Sequence, residues 1–201
     1  MMLNRRLLLV LAGALPALSA AAQSPPTRIR GTIAALDGPV MTVTTREGPQ
    51  VKVTLADNLS VTSVKNVDLS AIAPGTFVGI AAVTGPEGKL QAQEVLLFPE
   101  AARGSGEGHY AWDLTPGGTM TNATVESAVQ GKSGRELTLT YKGSSVVITV
   151  PPDVPIVTFI PAERADVKPG AGVFLSAMKM TDGNYTAARV IVGKNGVNPP
   201  M

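Results

Sequence analysis

Glu107, His109 and Asp113 stand out for their chemistry, because they put one imidazole and two carboxylates within seven positions. Imidazole nitrogen and carboxylate oxygen are ordinary ligands of divalent zinc, copper and nickel. Their spacing of i, i+2 and i+6 lies in a glycine-rich stretch, whereas metal centres gather ligands from several elements and brace them from behind. A second reading of the same stretch rests on Tyr110, Trp112 and Leu114. Aromatic side chains bury a large apolar area and leave a polar tip to be satisfied. These three residues are therefore expected to pin an ordered connector across the structure on either side. His109 and Trp112 are the only His and Trp of the chain.

Other chemistries find less support. A Ser-His-Asp arrangement would have to use His109, and no Gly-x-Ser-x-Gly elbow is present to supply its nucleophile. The run Gly104-Ser105-Gly106-Glu107-Gly108 lacks the Lys-Ser/Thr ending of a phosphate loop, and Gly131-Lys132-Ser133 has that ending without the earlier glycine. Both read as turns. Met178 and Met180 alternate along a strand and suggest soft copper ligation with Met120 and His109, but core packing is the expectation for them. With zero cysteines, disulfides, thiolate chemistry and Cys-ligated zinc are excluded. The reading is of a non-enzymatic protein with no cofactor.

The N-terminus carries the pattern of an export signal. Arg5 and Arg6 precede the apolar run Leu7–Ala14, and Ala20-x-Ala22 supplies the small residues of a cleavage site. Cleavage after Ala22 is expected, leaving Gln23 first in a periplasmic or secreted protein. A membrane span needs about 20 apolar residues, which this run does not reach, so the protein is not expected to span a membrane. The formal charge of +2 comes from 17 Lys and Arg against 15 Asp and Glu. Losing Arg5 and Arg6 leaves the two signs equal, so no surplus of cations points to nucleic acid. Residues 39–55 also lack the aromatic residues on which bases stack.

The elements that would position any site follow from an internal offset. Val51-Lys52-Val53-Thr54-Leu55 matches Val146-Val147-Ile148-Thr149-Val150, and Pro74-Gly75 matches Pro169-Gly170, both 95 residues on. Such periodicity is the mark of one supersecondary unit used more than once. Gly and Pro are frequent at 21 and 16, and alternating Val and Thr runs between them read as short strands joined by turns. In Gln50–Leu55 the side chains of Val51, Val53 and Leu55 share one face. Around Asn66–Ala73 a short helical turn is expected, with Asp68 or Ser70 as its cap.

The fold expected is all-β: two tandem small OB-like β-barrels joined by an ordered connector and preceded by a cleaved signal peptide. Residues 1–22 are the signal, 23–27 a leader, 28–98 the first barrel and 99–122 the connector. The second barrel covers 123–193 and a tail covers 194–201. Closing a small sheet into a barrel removes exposed strand edges.

Gly31-x-Ile33, Leu36-Asp37-Gly38, Met41-Thr42-Val43, Pro74-Gly75 and Gly88-x-Leu90-x-Ala92-x-x-Val95 resemble an uncharacterised family of exported bacterial OB-like barrel proteins, a domain of unknown function. The resemblance covers most of residues 28–98 and rests on turn and core positions. It implies a small barrel and carries no catalytic or binding residue. The second half departs from the pattern, with Glu126 expected in the place of Gly31 and Lys132-Ser133 in that of Asp37-Gly38. The functional expectation is an exported binding or envelope-scaffolding module whose partner is an envelope protein or a small ligand. The alternative is a periplasmic metal-handling accessory protein using His109 and the nearby carboxylates.

Overall fold

The structure, a computed structural model, describes residues 25–85 and 88–199. The expected signal peptide and the start of the leader lie outside the described residues. Twelve strands follow in order: β1 (Thr27–Asp37), β2 (Val40–Thr45), β3 (Gln50–Asn66), β4 (Phe77–Thr84), β5 (Leu90–Leu97) and β6 (Gly108–Ala111), then β7 (Thr119–Gly131), β8 (Gly134–Tyr141), β9 (Ser144–Val150), β10 (Ile156–Pro161), β11 (Gly172–Lys179) and β12 (Tyr185–Val192). The protein is all-β, and helical structure among the described residues is confined to short 3-10 turns such as Leu69–Ala71 and Arg164–Asp166. No helix among the described residues is long and apolar enough to cross a membrane.

Five strands close into a barrel. β1 pairs with β2, β2 with β3, β3 with β12, β12 with β11, and β11 returns to β1. All contacts are antiparallel except β3 with β12, which is parallel. The interior is filled by Ile33, Met41, Val43, Val53, Leu55, Leu175 and Val192, each 2% exposed or less. That is the inward face expected from the alternation of Gln50–Leu55. The turn between β1 and β2 uses Gly38 at φ +54, a conformation that a Cβ disfavours.

The remaining strands make a second circuit of pairings. β4 pairs with β5 and β7, β7 with β8, β8 with β9, and β9 with β5. A separate apolar cluster fills it, including Val78, Ile80, Val95, Leu137, Leu139 and Ile148. β10 joins the two circuits, running antiparallel to the end of β3 and parallel to β5. A third cluster of Val64, Ala81, Leu96, Met120, Val157 and Phe174 lies among these joining strands.

The pairings correct the expected barrels of consecutive residues 28–98 and 123–193. The barrel takes β1–β3 from the first segment and the β11–β12 hairpin from the second. The second circuit takes β7–β9 from the second segment and the β4–β5 hairpin from the first. The reason is visible in β3, which continues past a break in register after Leu55 to Asn66, where a strand ending at Leu55 was expected. After the break Ser60–Ser63 still pair with β12, and Thr62–Asn66 run along β10, so the chain leaves its own barrel towards the second circuit before the next hairpin begins.

Two local expectations also change. Thr27–Thr32 pair with Ala177–Gly172, and Thr119–Thr124 pair with Ala82–Phe77. The place of Gly31 is therefore taken by Ala123, not Glu126, because the strands of the β7–β8 hairpin, of 13 and 8 residues, are longer than those of β1–β2, of 11 and 6, while both turns span two residues. Asp68 stands at the N-cap of its 3-10 turn but makes no side-chain capping bond.

Candidate functional site

The connector is ordered and built from backbone upward. β6 pairs with β7, setting His109 opposite Thr121 and Tyr110 opposite Met120. The chain then doubles back, with Trp112 N–H donating to Gly118 O at 2.8 Å and Gly118 N–H donating to Thr115 O at 2.9 Å. A Cβ at position 118 would stand 2.9 Å from Thr115 O and 3.0 Å from Trp112 O. Only glycine admits that backbone approach.

This loop delivers Trp112 and Leu114 onto the third apolar cluster. The guanidinium of Arg28 lies 3.9 Å from the centre of the Trp112 ring, and that of Arg30 lies 5.7 Å from it and 5.3 Å from the Phe174 ring. A cation over an aromatic face is attracted by the ring quadrupole, more strongly as water is excluded. Asp113 completes the group: Arg30 Nη2 donates to its Oδ1 at 2.8 Å, and Arg28 Nη1 lies 3.5 Å from its Oδ2. Partial burial works against the charged carboxylate. It is outweighed by the Arg30 hydrogen bond and the charges of both arginines, so the Asp113 pKa lies below its ordinary value.

Tyr110 is placed differently from Trp112 and Leu114. It is 37% exposed, meets the Trp112 ring edge-on at 6.2 Å, and its hydroxyl accepts from Asn122 Nδ2 at 3.3 Å. Burial of its inner side raises the phenol pKa, against the opposing charge of Arg28. Tyr110 thus rims the contact that Trp112 and Leu114 anchor. Two donors in the group, Trp112 Nε1 and Arg30 Nε, are buried without an acceptor.

The three candidate ligands do not converge. Glu107 Oε1 accepts from the backbone N–H of Lys142 at 3.0 Å. The exposed His109 ring places Nδ1 2.8 Å from Thr121 Oγ1 and stacks on Tyr141 at 6.1 Å. These two lie towards the β8–β9 turn, whereas Asp113 is held by the arginines of β1. Among the described residues no group of three or more His, Asp or Glu stands ready to hold a metal. The methionines also depart from expectation, with Met178 half-buried and Met180 49% exposed.

Arg28, Arg30 and Phe174 complete the site and were not singled out in the sequence. The signal for the arginines was the alternation Arg28-Ile29-Arg30, which puts two cations on the outer face of a strand. Nothing local marks Phe174 as their partner. Comparison with known proteins finds no matching family model, curated protein or solved structure.

Proposed function

We propose that the chain is an exported, non-enzymatic binding or envelope-scaffolding module built from two OB-like barrels that share their closing hairpins. The observation that carries this reading is the clasp: one loop seats Trp112 and Leu114 on the apolar cluster among the joining strands and ties Asp113 to Arg28 and Arg30 of β1. Rigid elements hold a binding surface more precisely than loops do, and the clasp turns the two circuits into one such body.

The OB-like reading draws on strand order. In each circuit a three-strand meander is closed by a hairpin whose last strand runs parallel to the third, the pattern of a five-stranded Greek-key barrel. Equivalence of the two halves draws on recurring bonds. Gly75 N–H donates to Val125 O and Gly170 N–H to Ile33 O, both at 2.8 Å. The export reading draws on Arg5-Arg6, the apolar run and Ala20-x-Ala22.

The test is fractionation of a bacterium expressing the C-terminally tagged full-length chain, with in-situ cross-linking of the envelope. The reading expects a chain beginning at Gln23 in the periplasmic fraction, recovered in one discrete cross-linked complex. A full-length cytoplasmic chain without a discrete complex contradicts it.

A further inference from the structure

An aromatic pair packs where the second circuit meets the joining strands, with the Phe98 ring also 6.0 Å from Phe159 of β10. Phe98 N–H donates to Phe77 O at 3.0 Å, and the two rings pack at 5.3 Å. The same bond recurs 95 residues on, where Gly193 N–H donates to Gly172 O at 2.7 Å. Both phenylalanines are replaced by glycine there, and the Asn198 side chain lies against both glycines in their stead.

Two adjoining spaces lie there, of about 430 and about 260 Å³, and both are lined by Gly172 and Asn198. The Asn198 side chain occupies the position a Cβ of Gly172 would need and approaches that of Gly193 to 2.8 Å. Lys168 and Lys194 line the larger space, and Arg30 and Arg46 the smaller. The one carboxylate in either lining, Asp166, is already held by Lys194 at 2.8 Å. Lys168 also acts on Asp166 through its charge, without a direct contact, and Arg30 keeps a buried Nε–H without an acceptor. Thr32, Thr45 and Asn198 add neutral polar groups.

We propose that this two-lobed cleft at the end of the barrel binds a small ligand carrying anionic oxygen, a phosphate or a carboxylate. Lys and Arg donors surrounding a polar space make charge-assisted hydrogen bonds to such oxygens. The proposal rests on the binding-module reading and deepens it by naming a ligand class, with Arg30 shared between the cleft and the clasp.

The experiment is calorimetric titration of the full exported chain with inorganic phosphate and, separately, with citrate, at low and then at high salt. Saturable binding of at least one, with Kd of about 1 mM or tighter, is expected, weakened by salt. Which of the two binds more tightly assigns the phosphate or the carboxylate. Lys168→Gln and Arg46→Gln should each weaken binding about tenfold, and Gly172→Phe, whose ring would displace Asn198 into the cleft, should abolish it. Arg103→Gln, a cation beside the second circuit, should leave it unchanged. Circular dichroism identifies any variant that fails to fold, and the two glutamine variants decide the matter if Gly172→Phe does. No binding of either anion overturns the proposal, as does binding indifferent to Lys168→Gln and Arg46→Gln or equally sensitive to Arg103→Gln. A discrete envelope complex together with no anion binding would remove the cleft and leave the binding-module reading standing.

Discussion

The guanidinium of Arg28 covers the ring of Trp112 at 3.9 Å, joining the first strand of the barrel to a connector that leaves the other circuit. Together with Arg30, whose guanidinium lies 5.3 Å from the Phe174 ring, it links three parts of the chain far apart in sequence: β1, the connector and the β11–β12 hairpin. Energetically it combines aromatic burial with the attraction of a cation to the ring face.

Trp112→Ala should cost roughly 2–3 kcal/mol, below the range for a fully buried aromatic because the ring is only half-buried. Equilibrium urea unfolding measures it. Trp112 is the sole tryptophan, so its fluorescence reads the clasp directly. Native emission should be blue-shifted and partly protected from iodide, whereas a fully water-exposed spectrum would show that the clasp is open.

Asp113 gives the fold a dependence on pH. Because its folded-state pKa is lowered, the stability it contributes is present above the ordinary carboxylate range and lost as pH falls through the lowered value. Asp166 acts in the same direction, held down first by the Glu163 backbone hydrogen bond and then by Lys194. Thermal melts should therefore fall as the solution is acidified below about pH 4, and Asp113→Asn should flatten that fall. An acid limb unchanged in the variant would count against the ion pair.

Removing Asp113 also leaves Arg30, whose side chain is 10% exposed, without its carboxylate. A buried charge stripped of its partner destabilises more than loss of a surface pair does. Asp113→Asn at neutral pH is expected to cost about 1–2 kcal/mol. Replacing Arg30 and Asp113 together, by Met and Asn, should cost less than the two single changes added, as a double-mutant cycle will show.

Gly31 tests the backbone. A Cβ there would run into the carbonyl of Thr44 and stand 2.9 Å from Thr45 Cα. Gly31→Ala should destabilise by about 3 kcal/mol, since backbone atoms of the paired strand would have to shift. Gly38→Ala is the comparison: its space is open and only its φ of +54 is unfavourable, so a cost of about 1 kcal/mol is expected. Chemical denaturation of both variants distinguishes steric from conformational cost.

Much of this was legible in the residues. Alternation in Gln50–Leu55 placed Val53 and Leu55 inside, and the glycine turns placed most strand ends, because burial on one face imposes a period of two. The route of the chain was not legible. The two hairpins share spacing and apolar pattern, with Val78 and Val95 matched by Val173 and Val190, so either hairpin satisfies the inward face of either meander. What decides is the continuation of β3 through Ala56–Asn66, a stretch of mixed polarity that shows no clear period. The connector residues were recognisable as large side chains in a loop. Their partners were not, because Phe174 and Arg30 meet them only through the tertiary path.

The exchange of hairpins is tested most directly by a disulfide, in a chain that has zero native cysteines. Arg28 lies opposite Ser176 across β1 and β11, and residues opposite one another in antiparallel strands have Cα atoms about 4.5–5.5 Å apart, within disulfide reach. If each segment closed on itself, the residue facing Arg28 would instead come from β4, at Ala81, which stands 95 positions before Ser176. Arg28→Cys with Ser176→Cys, mildly oxidised at low protein concentration, should give a monomeric cross-linked product seen as a faster band on non-reducing gels. Arg28→Cys with Ala81→Cys should give none. Cross-linking of the second pair and not the first would contradict the exchanged architecture.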